Sequence, residues 1–229
     1  MGDRDGDTVD PGLEQPIGLD EAYSIHTPED SRRLYRRWAT SYESGFATEQ
    51  GYVNPQNVAQ VFIETFGSKQ GLLLDVGCGT GLVGLALCDL TESVIDGFDI
   101  SPEMLNQAAQ KIDHDGRSIY SDLIEGDLAG ALEIPTGRYA GVLSAGTFTH
   151  GHVGPEALDE LYRIARPGAL FAIGIKPSHF DALGFSDRFE RDVALGRITQ
   201  PAIKLIEVYE SGEHVDDTGI VAVFRRSAA

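Results

Sequence analysis

The run Leu72-Leu-Leu-Asp-Val-Gly-Cys-Gly-Thr-Gly-Leu-Val-Gly84 leaves this chain few folds to choose from. Leu72 to Val76 is short and almost wholly apolar, the pattern of a strand buried on both faces of a parallel sheet. It stops at Gly77, Gly79 and Gly81, residues that let the backbone turn with φ above zero and put no Cβ between backbone and ligand. From about Thr80 the pattern becomes helical, with Leu82, Val83, Leu85, Ala86, Leu87 and Leu90 on an apolar face. Strand, glycine turn and helix make a seat for a nucleotide-type cofactor at the carboxyl end of a parallel strand. An empty turn would need one or two glycines, not three.

The remainder alternates strands and helices. Thr27-Pro28-Glu29 predicts a helix start, a capping hydroxyl followed by proline and acids, and Leu34, Trp38 and Tyr42 form one apolar stripe along it. Arg32, Arg33, Arg36 and Arg37 lie mostly on the solvated side. A second helix is expected over Pro55 to Phe66, after a loop at Gly51-Tyr52 suited to a lid. Further strands are expected at Val94–Asp99, Ser118–Glu125, Tyr139–Ala145 and Ala169–Ile175. Helices follow several of them, one capped by Ser101 with Pro102 behind it and one opened by Pro155. Phe180 to Leu195 is amphipathic and predicts a helix with a loop at one wall of an acceptor pocket. Ile203–Tyr209 and Gly219–Arg225 predict a closing antiparallel pair. The fold class is therefore α/β, a doubly wound, mostly parallel seven-stranded sheet of Rossmann-like type with a terminal antiparallel hairpin.

The 229 residues predict a single domain over 26–229, preceded by an acidic tail over 1–25 expected to be disordered. A formal charge of −18, from 36 acidic and 18 basic side chains, argues against nucleic acid as a partner. No apolar run reaches the ~20 residues of a membrane span. The first residues lack the apolar core of a signal peptide, and two cysteines make no disulfide framework, so a cytoplasmic location is expected, with no metal site.

The cofactor is read from Asp75. Gly79-x-Gly81-x-x-Gly84, with Asp99 about 20 residues on, matches the dinucleotide fingerprint, but a carboxylate two residues before the first glycine would repel a pyrophosphate. It suits a cation such as the sulfonium and ammonium of S-adenosylmethionine. Asp75-Val-Gly77-Cys78-Gly79-Thr-Gly81 resembles the first motif of class I S-adenosylmethionine-dependent methyltransferases, and Asp99-Ile100-Ser-Pro-Glu-Met104 resembles their second. The resemblance covers about residues 35–226. It implies that Asp75, Gly77, Cys78, Gly79 and Gly81 serve the methionine portion and Asp99 the ribose. Ile100, Asp127 and Leu128 would serve the adenine, with Met104 and Ala145 completing the cofactor set. Tyr35-x-x-Trp38-Ala39-x-x-Tyr42 resembles the aromatic helix that covers the methionine end of the cofactor in many small-molecule methyltransferases. Tyr42 is the candidate there, since cation–π attraction is worth ~0.5–2 kcal/mol. Together with Gly146-x-x-x-x-Gly151-x-Val153, these strings look most like the methyltransferase-like family named after the Williams–Beuren syndrome region.

His150 is the candidate general base, in the loop where methyl and acceptor would meet, although alignment alone can supply most of such a rate. The acceptor is expected to be a small molecule. A protein methyltransferase and a non-catalytic S-adenosylmethionine-binding protein are the alternatives. A nicotinamide dehydrogenase of the Tyr-x-x-x-Lys kind is not supported, because Tyr162 is followed by Arg166.

Overall fold

The structure, a computed structural model, describes residues 27–67, 70–149 and 153–228. The expected tail over 1–25 and the candidate base His150 lie outside the described residues.

Seven strands form one sheet in the order β3-β2-β1-β4-β5-β7-β6. They are β1 (Leu72–Val76), β2 (Val94–Asp99), β3 (Tyr120–Glu125), β4 (Tyr139–Phe148), β5 (Ala165–Ile175), β6 (Ala202–Glu207) and β7 (Thr218–Arg225). The first five run parallel, and β7 lies antiparallel between β5 and β6. The order reverses between β1 and β4, the switch point at which an open α/β sheet leaves a crevice beyond its strand ends. β1 therefore sits where its sequence requires: Leu73, Leu74 and Val76 are wholly buried, with Asp75 opposite Gly97 of β2 and Leu143 of β4.

Helices cover both faces. They are α1 (Pro28–Trp38), α2 (Asn54–Phe66), α3 (Leu82–Cys88), α4 (Pro102–Ala108), α5 (Leu158–Ile164), α6 (Pro177–Ala182) and α7 (Phe185–Ala194). One apolar core joins α2 and α3 to the sheet through Val58, Phe62, Val83 and Leu87. The other joins α5 and α7 through Leu158, Leu161, Phe185 and Phe189. Two boundaries differ from the sequence reading. The amphipathic stretch 180–195 is broken in two at Gly184, whose φ of 70° is left-handed. Its rings Phe185 and Phe189 belong to the core instead of facing a pocket. β5 begins at Ala165, four residues early, because Tyr139 pairs with Ala165 before the register shifts to Gly141 and Leu170.

The N-terminal helix stands apart from both cores. Its start carries a capping box: Thr27 Oγ1 accepts from Asp30 N–H while the Asp30 carboxylate accepts from Thr27 N–H. Leu34, Trp38 and Ala39 form a small separate cluster with Met104 of α4, joined by Tyr35, Tyr42 and Phe46. After α1 the chain makes a wide π-helical turn, Glu43–Ala47, which keeps Tyr42 and Phe46 on the same side as Trp38.

Candidate active site

A cavity of about 530 Å³ opens at the switch point, along the carboxyl ends of β1, β2, β4 and β5. Its floor is the glycine turn. Gly77, Gly79 and Gly81 all have positive φ, and a Cβ on Gly77 would fall on Thr147 Oγ1, so the turn and the end of β4 touch only because the side chain is missing. Beside Gly79 there is open space where a Cβ would stand, on the cavity side.

Asp99 sits at the tip of β2, on the wall of this cavity. Its Oδ2 accepts from Gly79 N–H at 2.8 Å and its Oδ1 from Ser101 N–H at 2.9 Å, so one carboxylate clamps the glycine turn to the start of α4. Burial pushes its pKa up, and the amides of Ser101, Gly79 and Ile100 oppose that. Next along the wall come Ile100, Met104, Gly126, Asp127 and Leu128. Asp127 Oδ1 accepts from Ala129 N–H, and Oδ2 lies 3.8 Å from Arg32 of α1.

The roof is aromatic. Trp38, Tyr42, Phe46, Tyr52 and Tyr209 all border the cavity, each ring centroid 5.0–5.6 Å from the next in that order. Tyr52 and Tyr209 also form an isolated antiparallel bridge, which joins the segment after α1 to the segment after β6. The expected lid at Gly51-Tyr52 is thus a packed part of the wall. Burial, then the neighbouring phenols Tyr52, Tyr35 and Tyr209, push the Tyr42 hydroxyl well above its ordinary pKa. It stays protonated.

Of the sequence-predicted residues, Tyr42, Gly77, Cys78, Gly79, Asp99, Ile100, Met104, Asp127, Leu128 and Ala145 border this single cavity. Asp75 and Gly81 do not. Asp75 is fully buried beneath the turn, where Tyr120 O–H donates to its Oδ2 at 2.7 Å and accepts from Gly84 N–H at 3.2 Å. Its Oδ1 has no hydrogen-bond partner among the described residues. Burial lifts its pKa to about 7, and the Tyr120 hydrogen bond opposes that. Gly81 and Gly84 both face the Tyr120 ring, which occupies the place a side chain there would take.

Thr147 and Thr149, polar residues of the loop expected to meet the acceptor, line the cavity together with Phe46, Asn54, Lys176 and Tyr209, which the sequence does not single out, and with Tyr52 of the expected lid. They come from segments far apart in the chain, and only the topology brings them together.

The cradle fits S-adenosylmethionine: Gly79 open on the cavity side, a buried carboxylate at the tip of β2, and a cavity of about 530 Å³, within the ~300–1,000 Å³ of small-molecule sites. The comparisons agree. Residues 73–168 match a family model described as methyltransferase domain. Human methyltransferase-like protein 27 is 30% identical over 155 residues, 66% of this chain and 60% of that one. Demethylmenaquinone methyltransferase of Symbiobacterium thermophilum is 34% identical over 122 residues, 49% of this chain and 47% of that one. The chain thus matches less than two thirds of either relative's length. Burkholderia thailandensis 1,6-didemethyltoxoflavin-N1-methyltransferase, solved with S-adenosylhomocysteine, shares the fold with a TM-score of 0.61 at 15% identity, over 94% of this chain and 93% of that one.

Proposed function

We propose that this protein, whose residues 73–168 match a methyltransferase-domain model, binds S-adenosylmethionine and transfers its methyl group to a small-molecule acceptor. The cofactor supplies an activated methyl on a sulfonium. What the protein supplies is position: a clamped glycine turn, a hydroxyl-accepting carboxylate at Asp99, and an aromatic roof beside the transfer zone.

The observation that supports the small-molecule reading is the lining: Trp38, Tyr42, Phe46 and Tyr52 on one side and Val208, Tyr209 and Ile220 on the other bound a cavity of about 530 Å³, a size suited to a small molecule. Within the superfamily we place the chain nearest the methyltransferase-like family of the Williams–Beuren syndrome region, supported by the 30% identity to methyltransferase-like protein 27.

The test is release of S-adenosylhomocysteine from methyl-labelled S-adenosylmethionine, with panels of small acceptors and, separately, with unfolded and native proteins. Turnover with small molecules alone supports the reading. Label found only on protein would favour the protein-acceptor alternative, and cofactor binding without turnover on either panel would favour a non-catalytic role.

A further inference from the structure

On the methyltransferase reading, we propose that Asp75, positioned by Tyr120, is the charge by which this chain tells S-adenosylmethionine from S-adenosylhomocysteine. Ionised, it favours the ligand that carries a sulfonium; neutral, it does not.

Asp75 is a buried acid that no cation compensates. It lies wholly inside β1, between Gly97 of β2 and Leu143 of β4. Its Oδ1 has no hydrogen-bond partner among the described residues, and its Oδ2 accepts from Tyr120 O–H at 2.7 Å. The groups that face it are the Tyr120 phenol from β3, the Asp99 carboxylate from the tip of β2, the Cys78 thiol from the turn and the Gly84 amide from α3. Burial above all holds the phenol and the thiol well above their ordinary pKa values, so both stay neutral. A buried carboxylate left in this state costs stability, which marks it as a group with a task.

Its charge reaches the cavity without its side chain doing so. Cys78 and Asp99 border the cavity, and both interact electrostatically with Asp75. Gly77, two residues further on, is part of the cavity floor. A cation seated over the 77–81 turn therefore feels the same carboxylate, through a dry interior that screens it little. Asp99 does not make this distinction. It accepts two backbone amides, and the ribose assigned to it is common to both ligands.

Tyr120 is the positioning residue. Its hydroxyl accepts from Gly84 N–H at 3.2 Å while donating to Asp75, so it links α3 to β1. Its ring stands where a Cβ on Gly84 would fall and lies against Gly81 and Gly97, which fixes its direction. Burial lifts the Asp75 pKa to about 7; the Tyr120 hydrogen bond opposes that, Asp99 adds to it and the Gly84 amide opposes it. Asp75 is thus poised to change charge near neutrality. A bound cation favours the ionised form, and by reciprocity the ionised form favours the cation. Loss of the sulfonium charge on methyl transfer ends that attraction, so an ionised Asp75 holds the product less firmly than the cofactor.

The test is calorimetric titration of the full chain with S-adenosylmethionine and with S-adenosylhomocysteine over a series of pH values. The two ligands share adenine, ribose and amino acid, so the ratio of their affinities isolates the sulfonium. That ratio is expected to rise about tenfold in favour of S-adenosylmethionine, the scale of one charge pair at an effective dielectric of about 20. A tenfold coupling is one pKa unit, so the rise is expected to span about pH 6 to about pH 7. In Asp75→Asn the ratio is expected to be flat over that span. In Tyr120→Phe the carboxylate loses the hydrogen bond that favours its ionised form, and the rise is expected at higher pH. The ligands' own α-amino groups titrate near pH 8, and Asp75→Asn supplies the baseline for them. S-adenosylhomocysteine affinity below pH 6 reports that each variant is folded. A flat ratio in the unaltered protein, a rise that survives in Asp75→Asn, or a rise that Tyr120→Phe leaves in place overturns the proposal. Where one variant fails to fold, the other decides. Failure of S-adenosylhomocysteine to bind at any pH removes the methyltransferase reading and this proposal with it, whereas binding of both ligands at a flat ratio removes this proposal alone.

Discussion

Asp75, Asp99 and Tyr120 divide the work that a sequence motif assigns to one acid. Asp99 borders the cavity and ties Gly79 to Ser101, so on the proposed reading Asp99→Ala removes a cofactor contact and loosens the turn together. We expect it to weaken S-adenosylhomocysteine binding by ~1.5–3 kcal/mol in calorimetry, the scale of lost hydrogen bonds to a charged group. Unchanged affinity would take Asp99 off the ribose. Asp75 works from below. Its pKa of about 7 in the folded protein lies above the ordinary 3.8. Below the ordinary value both states are protonated and its contribution to stability is fully present. As pH rises the unfolded chain ionises first, so that contribution drains away until the folded carboxyl ionises near 7. Denaturation of Asp75→Asn should therefore show a variant that gains on its parent between about pH 4 and pH 7 and holds that gain above. A pH-independent difference would mean that Asp75 does not titrate in this window. Gly84 is a packing glycine: a Cβ there would stand 2.4 Å from Tyr120 Oη. Gly84→Ala should cost about 1–3 kcal/mol in chemical denaturation, as overpacking does, and Tyr120→Phe in the same background should recover part of it.

At the scale of elements, the site is held by how helices are pinned to the strand ends. α1 is joined to α4 through a small apolar cluster and the ion pair of Arg36 with Glu103 at 3.0 Å, and the turn after α1 is joined to Lys111 through Glu43 at 2.7 Å. An exposed pair such as Arg36 with Glu103 is worth only ~0.2–1 kcal/mol. Trp38 is the single tryptophan of the chain and lies in that roof. Its emission should shift on addition of S-adenosylhomocysteine, and the shift should be absent from Asp99→Ala at the same ligand concentration. A Trp38 signal blind to ligand would detach the roof from the site. α7 is pinned differently. Arg188, 5% exposed, donates to Asp192 at 2.5 Å, to Pro155 O at 2.8 Å and to Asp159 at 2.8 Å. Asp192→Ala would leave a buried guanidinium short of its charge partner and is expected to cost about 3–5 kcal/mol of stability with cofactor affinity retained at low temperature.

Over the whole molecule, sequence patterning and structure agree where local chemistry decides and part where topology does. The buried run of β1, the glycine turn, Asp99 at a strand tip and the Ser101 cap are all written in neighbouring residues, and the structure has them where the pattern puts them. Asp75 was legible as an unusual acid but not as one turned beneath the loop, because Tyr120, its partner, lies 45 residues away. The π-helical turn after α1 and the pairing of Tyr52 with Tyr209 have no local signature either. An aromatic at the end of a strand reads as packing until the fold places four other rings beside it. The break at Gly184 was signalled by the glycine itself, yet the burial of Phe185 and Phe189 depended on the sheet face they meet. The rim at the end of β4 belongs to this second kind: Thr149 and Lys176 meet there because β4 and β5 pair, and Tyr52 and Asn54 join them from the segment ahead of β1.

The central claim is that this cavity is a seat for S-adenosylmethionine and its product. Titration calorimetry of the full chain with S-adenosylhomocysteine, and with NAD as control, tests it most directly. Micromolar binding of S-adenosylhomocysteine with none of NAD is the result this structure predicts. Binding of NAD, or of neither ligand, would contradict it.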